Sequence, residues 1–160
     1  MNTPARRGRG FTLIELVVTV ALIGLLTAIA APLAETVVQR GKEQELKTSL
    51  MTIRDAIDAY KDAADNARIT KNAGDSGYPP SLEVLVDGVL DKQSAAGTKI
   101  YFLRRIPRDP FGDPSLQPGQ TWGLRSYASP PTSPEAGKDI FDVRSLSQGK
   151  ALDGTLYKDW

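Results

Sequence analysis

Residues 16–34 carry no charged side chain, and this apolar run is entered through Glu15 and left at Glu35. Residues 11–34 make 24 positions; at about 1.5 Å per residue a helix of that length spans the roughly 30 Å hydrocarbon core of a bilayer with some tilt. Beyond it the pattern becomes periodic. Leu46, Leu50, Ile53, Ile57, Tyr60, Ala64 and Ala67 recur at steps of four and three, while Lys47, Arg54, Asp55, Asp58, Lys61, Asp62 and Asp65 take the other faces, which predicts an amphipathic helix with its apolar stripe on a core. The stripe ends near Arg68, and residues 71–77 are rich in helix breakers. One long N-terminal helix is expected, apolar all round in its first half and amphipathic in its second.

The remaining chain alternates turn signals with short apolar runs. Ser81, after Pro79-Pro80, is placed to cap a short helix reaching about Leu90. Strands are expected at residues 99–103, 123–127 and 140–143, forming one small antiparallel sheet laid against the helix, an α+β fold. Residues 128–137, with three prolines and two serines, read as a surface loop.

Charge orients the chain. Arg6, Arg7 and Arg9 precede the apolar run with no acidic residue among the first ten positions, a bias that keeps the N-terminus in the cytoplasm and sends the rest outward. The net charge of +1 hides a split: without those three arginines, residues 11–160 hold 17 basic against 19 acidic side chains, a net of −2. No basic face invites nucleic acid. The chain has neither cysteine nor histidine, which removes disulfides, Cys-His and Ser-His nucleophilic sites and the usual zinc clusters. Carboxylate pairs such as Asp62 and Asp65 fall on the solvated helix face, so no catalytic residue and no enzyme activity is expected.

A lone carboxylate at the mouth of a membrane span costs free energy and requires a partner or an escape to the headgroups. Pro32, with Gly24 on the same helix, lacks a backbone donor and predicts a kink or a loosened turn. Ala28-Ile29-Ala30 resembles a secretory cleavage site that would start the mature chain at Ala31, and an uncleaved anchor fits the same composition. The order Gly10, Phe11, Thr12, Leu13, Ile14, Glu15 resembles a third arrangement, the class III signal of type IV pilins and type II secretion pseudopilins. That resemblance implies a leader at residues 1–10 removed by a membrane prepilin peptidase between Gly10 and Phe11, and an N-methylated Phe11. It further implies that Glu15 of one subunit meets the Phe11 amine of its neighbour, and that Pro32 marks a stretch able to unwind in a filament.

The head narrows the resemblance. Tyr78-Pro79-Pro80-Ser81-Leu82-Glu83-Val84-Leu85 and Arg104-Arg105-Ile106-Pro107-Arg108-Asp109-Pro110-Phe111-Gly112 are similar to the Y-P-x-x-L-x-x-L and R-x-x-P-x-D-P-[WF]-G segments of the major, G-type pseudopilins, and the missing cysteines lean the same way. In the second segment Pro107 and Pro110 bracket a turn in which Asp109 can bond backbone amides and Phe111 can fill the core, a fold-defining role. One departure concerns metal. The family's S-L-G-x-D-G loop holds a structural calcium ion, whereas here Ser145-Leu146 runs into Ser147-Gln148-Gly149-Lys150, so Gly149 stands where a ligand Asp would be; no cofactor is expected, and a calcium ion is disfavoured. Trp160 keeps the family's terminal aromatic.

The expected organisation is a leader at 1–10, a transmembrane segment at 11–34 and a periplasmic head at 35–160 that includes the amphipathic half of the helix. The implied function is that of a pseudopilus subunit anchored in the bacterial inner membrane and polymerised through its N-terminal helix to drive export of folded proteins. The implied partners are prepilin peptidase, further copies of itself, minor pseudopilins, the inner-membrane secretion platform and the lipid bilayer. A type IV pilin or minor pilin of a surface filament is the alternative.

Overall fold

The computed structural model describes residues 10–160, with the backbone alone at residues 29–32; residues 1–9 of the leader expected at 1–10, and the Pro32 side chain, lie outside that set. Two compact units divide between Gln39 and Arg40. Helix α1 (Leu13–Asp65) contributes to both. In the N-terminal unit its side chains from Leu13 to Ala28 are exposed on every face.

The second unit, Arg40–Trp160, is built on the amphipathic half of α1. Leu46, Leu50, Ile53, Ile57, Tyr60 and Ala64 are buried as the period predicts, and Ser49, Ala56 and Ala63 widen the stripe. The apolar members of this stripe share one cluster with Leu82, Leu85, Leu103, Trp122, Ile140, Val143 and Tyr157 from the rest of the head. Each fully buried Leu or Ile side chain there contributes about 1.5–3 kcal/mol.

The end of α1 differs from expectation. Ala67 is exposed and adopts a left-handed backbone, φ 53°. The Arg68 amide donates to the Ala63 carbonyl at 2.9 Å and the Ala67 amide to the Ala64 carbonyl at 3.1 Å, the paired bonds of a Schellman ending. The helix therefore stops at Asp65, and Ile69 rather than Ala67 continues the core. Glycine is the usual residue at that position, so the periodic pattern ran on without a stop signal.

The short helix α2 is confined to Glu83–Asp87 and does not use Ser81 as its cap; Leu82 occupies the cap position with no side-chain bond. Gly88 ends it at φ 74°, where a Cβ would lie 2.8 Å from the Tyr101 ring. The residues expected to continue the helix to Leu90 instead form strand β1 (Val89–Leu90), antiparallel to β2 (Lys99–Ile100). Strand β3 (Trp122–Arg125) pairs antiparallel with β4 (Asp142–Ser145), Trp122 opposite Ser145 and Leu124 opposite Val143. The expected single sheet of three strands is thus two separate pairs, within the α+β class.

Diverted backbone amides explain the difference. Phe102 and Leu103 both donate to the Leu85 carbonyl, which stops β2 at Ile100. Ser126 donates to the Glu135 carbonyl and Ile140 to the Pro79 carbonyl, so β3 ends and β4 begins inside the expected bounds. Residues 128–137 are largely exposed, in accord with a surface loop.

Two buried carboxylates hold these loops. Asp109 Oδ1 accepts from the Phe111 amide at 2.8 Å and its Oδ2 from Ser145 Oγ at 2.6 Å, which ties the Pro107–Pro110 turn to β4. The Trp122 indole reaches the Pro107 carbonyl at 2.8 Å. Gly112 closes the turn on the Asp109 carbonyl, and a Cβ there would come within 2.9 Å of Thr121. Asp139 accepts from Ser126 Oγ at 2.6 Å, Ser76 Oγ at 2.5 Å and the Tyr127 amide at 2.9 Å. Burial alone raises the Asp139 pKa, but the two hydroxyls and the amide outweigh it and hold the carboxyl below its ordinary value.

Two outcomes follow for denaturant unfolding of the full chain in detergent. Ala67→Gly relieves the left-handed alanine and raises stability by up to about 1 kcal/mol. Asp139 stabilises the fold fully above its unfolded pKa of about 3.9 and loses that contribution as pH falls through its lower native value. The stability gap between the wild type and Asp139→Asn is therefore widest at neutral pH and narrows under acid; a gap that grows as pH falls contradicts this assignment.

Candidate assembly site at the mouth of the apolar helix

The start of α1 brings Thr12 and Glu15 together. The Glu15 amide donates to Thr12 Oγ1 at 3.3 Å, and the Thr12 amide donates back to Glu15 Oε2 at 3.2 Å. This reciprocal pair is a capping box, with Thr12 at the N-cap and Glu15 three residues on. Thr12 Oγ1 also lies 3.2 Å from the same carboxylate oxygen. The carboxylate stands at the positive end of the helix dipole, where negative charge is favoured. The T-x-x-E pattern before an apolar run was a readable sign of this cap, and it adds Thr12 to the residues of the site.

Further along, hydroxyls are satisfied within the helix. Thr19 Oγ1 donates to the Glu15 carbonyl and Thr27 Oγ1 to the Ile23 carbonyl, so neither leaves a polar group unpaired in an apolar setting. Phe11 is 86% exposed, and Leu13, Ile14, Leu16, Val17, Val18, Val20, Leu22, Ile23, Leu25 and Leu26 are exposed with it. The segment is long and apolar enough to cross a membrane. Gly10 is exposed, with nothing within 4 Å of the position a Cβ would take.

Gly10, Phe11, Thr12 and Glu15 therefore form one exposed cluster at the head of an unburied apolar helix, while the Pro32 side chain lies outside the described residues. The solvated pair is also resolved: Asp65 binds Lys61 and Lys71, and the Lys61 hydrogen bond lowers its pKa. Among the described residues no group of three acidic side chains converges as a metal site.

Residues 5–31 match the prokaryotic N-terminal methylation motif. With the capped apolar helix behind it, this motif defines a prepilin-type subunit. Over 146 residues the chain is 31% identical to type II secretion system core protein G of Escherichia coli strain K12, covering 89% of this chain and 94% of that protein. It is 31% identical to the protein of the same name from Pseudomonas aeruginosa over 84% of this chain and 91% of the relative, and 30% identical to that of Aeromonas hydrophila over 84% and 90%. The chain belongs to the type II secretion system core protein G family, the major pseudopilins. No solved structure matches it significantly.

Replacing Thr12 by Ala removes the cap and weakens the first helical turn by about 1 kcal/mol. Hydrogen exchange in detergent is expected to show faster exchange of the Glu15 and Leu16 amides, which bond Thr12 Oγ1 and the Thr12 carbonyl, and little change beyond residue 20; unchanged exchange at Glu15 contradicts the capping box.

Proposed function

We propose that this chain is the repeating subunit of a type II secretion pseudopilus, cut by prepilin peptidase between Gly10 and Phe11, N-methylated at Phe11 and polymerised through its N-terminal helix. The observation that carries this reading is an apolar helix exposed on every face and headed by a single carboxylate. Such a helix is stable in lipid as a monomer and among identical helices as a filament, and both environments demand a partner for the charge.

Cleavage after Gly10 creates an amine four residues before Glu15. The open backbone around Gly10 is consistent with access by a peptidase. The capping box occupies Oε2 of Glu15, and the carboxylate's second oxygen suits the Phe11 amine of a neighbouring subunit. That pair satisfies two charges in a low-dielectric core and fixes the axial register between subunits. Pro32 supplies a turn with one backbone donor fewer, able to loosen as helices pack.

The arginines at 6, 7 and 9 keep the leader in the cytoplasm, so the head folds in the periplasm with the apolar helix in the inner membrane. Growth of the filament on the inner-membrane platform, with minor pseudopilins as further partners, moves folded proteins toward the outer membrane. The head acts as a structural shell and not as an enzyme.

The capping role and the pairing role of Glu15 separate by substitution. Glu15→Gln keeps a capping-box acceptor but removes the charge. If pairing drives assembly, both Glu15→Gln and Glu15→Ala insert in the membrane at wild-type levels and lose most cross-linked filament. Assembly by Glu15→Gln at the wild-type level restricts Glu15 to capping and refutes the pairing.

A further inference from the structure

The C-terminal segment, residues 145–156, is the one the family resemblance associates with calcium. Calcium takes about six to eight oxygens, several from carboxylates. Here the segment has a single acidic residue, Asp153. Its Oδ1 already accepts from the Thr155 amide at 2.9 Å and Thr155 Oγ1 at 2.6 Å. Gly149, in the place of a ligand Asp, packs so closely that a Cβ would lie 3.1 Å from the Tyr157 ring. Its carbonyl accepts from the Tyr157 amide. Lys150 pairs with Leu156 across an antiparallel bridge, and the Ala151 amide donates to the Thr155 carbonyl at 2.8 Å. The residues present do not fit a calcium cage.

What they do form is a set of ties to α1. Glu43 Oε1 accepts from the Leu152 amide at 2.9 Å and from the Tyr157 hydroxyl at 3.0 Å. Four residues on, Lys47 Nζ lies 4.4 Å from the centre of the Trp160 ring. Arg54 bonds Asp142 at 2.8 Å, the Val143 carbonyl at 3.1 Å and the Trp160 carbonyl at 2.8 Å. The Trp160 indole donates to Thr155 Oγ1 at 2.7 Å. Beneath it Tyr157 stacks on Phe111, with ring centres 4.1 Å apart. Positions 43, 47 and 54 fall on one helix face, so a single stretch of α1 meets Leu152 within the segment and Tyr157 and Trp160 just after it.

We propose that the C-terminal segment of this head is fastened to α1 by protein groups, with Glu43 as the central acceptor, and keeps its conformation independently of calcium. Where a calcium ion would gather carbonyl and carboxylate oxygens of the loop, Glu43 holds the segment from the helix through its donors instead: it draws the Leu152 amide and the Tyr157 hydroxyl onto one point. A charged acceptor makes stronger hydrogen bonds than a neutral one, which suits a segment of exposed loops with few apolar contacts of its own. The proposal goes beyond the filament role and stands whether or not Glu15 pairs with Phe11.

Hydrogen exchange on the full chain in detergent, with EGTA or with millimolar calcium, tests it. In the wild type the amides of residues 149–156 are expected to have the same protection in both conditions. Glu43→Ala is expected to speed exchange at Leu152 about tenfold or more, with calcium unable to restore it. Protection that appears in the wild type only with calcium overturns the proposal, as does unchanged exchange at Leu152 in Glu43→Ala. If that variant unfolds the head, Tyr157→Phe keeps the ring stack and removes one bond to Glu43. Faster exchange in Tyr157→Phe that calcium does not reverse supports the proposal, and reversal by calcium overturns it.

Discussion

An apolar helix whose side chains are exposed from Leu13 to Ala28, entered through one carboxylate, governs this molecule. Side chains from Leu13 to Ala28 face outward on every side. A globular protein so built aggregates; a membrane or a bundle of identical helices removes the same surface from water at about 25 cal/mol per Å². Glu15 is the one charged residue in this stretch, and at its mouth it requires a partner or the headgroups. Its capping box with Thr12 shows how the chain handles the charge locally, by setting it against the positive end of its own helix.

The head meets a related problem with the same chemical means. With no cysteine to staple its loops, and two sheets of only two strands each, it gathers backbone and hydroxyl donors onto carboxylates. Asp109 joins the proline turn to β4, Asp139 joins residues 76 and 126–127, and Glu43 joins α1 to the C-terminal segment. Each carboxylate collects two or three donors, at least one of them from a distant part of the sequence. Charge-assisted hydrogen bonds of this kind hold irregular backbone that ladder bonding does not reach.

The long helix and its stripe were legible in the sequence because a 3.6-residue period over five turns is a strong local signal, and Leu46 through Ala64 are buried as it predicts. Ala67 misled because the helix ends in a left-handed alanine without the glycine that marks such endings. Strand β1 was hidden, since two residues carry no alternation, and the bounds of β2, β3 and β4 were set by distant acceptors: Leu85, Glu135, Asp139 and Pro79. At the helix mouth the motif gave Gly10, Phe11 and Glu15, and the T-x-x-E spacing could have given Thr12. Glu43, Lys47 and Arg54 were not legible as ties, because a charged residue on the polar face of a helix has the same sequence pattern whether it meets water or a folded-back segment.

In the proposed function a basic leader orients the chain, its removal supplies an amine at Phe11, and that amine in a neighbouring subunit answers the Glu15 carboxylate beyond what its own cap provides. The first covalent step is the most direct point of test. Tandem mass spectrometry of the N-terminal peptide, on chain purified from membranes of cells that contain prepilin peptidase, is predicted to read an N-methylated Phe11 followed by Thr12. A terminus at Ala31, or an intact Met1, contradicts it.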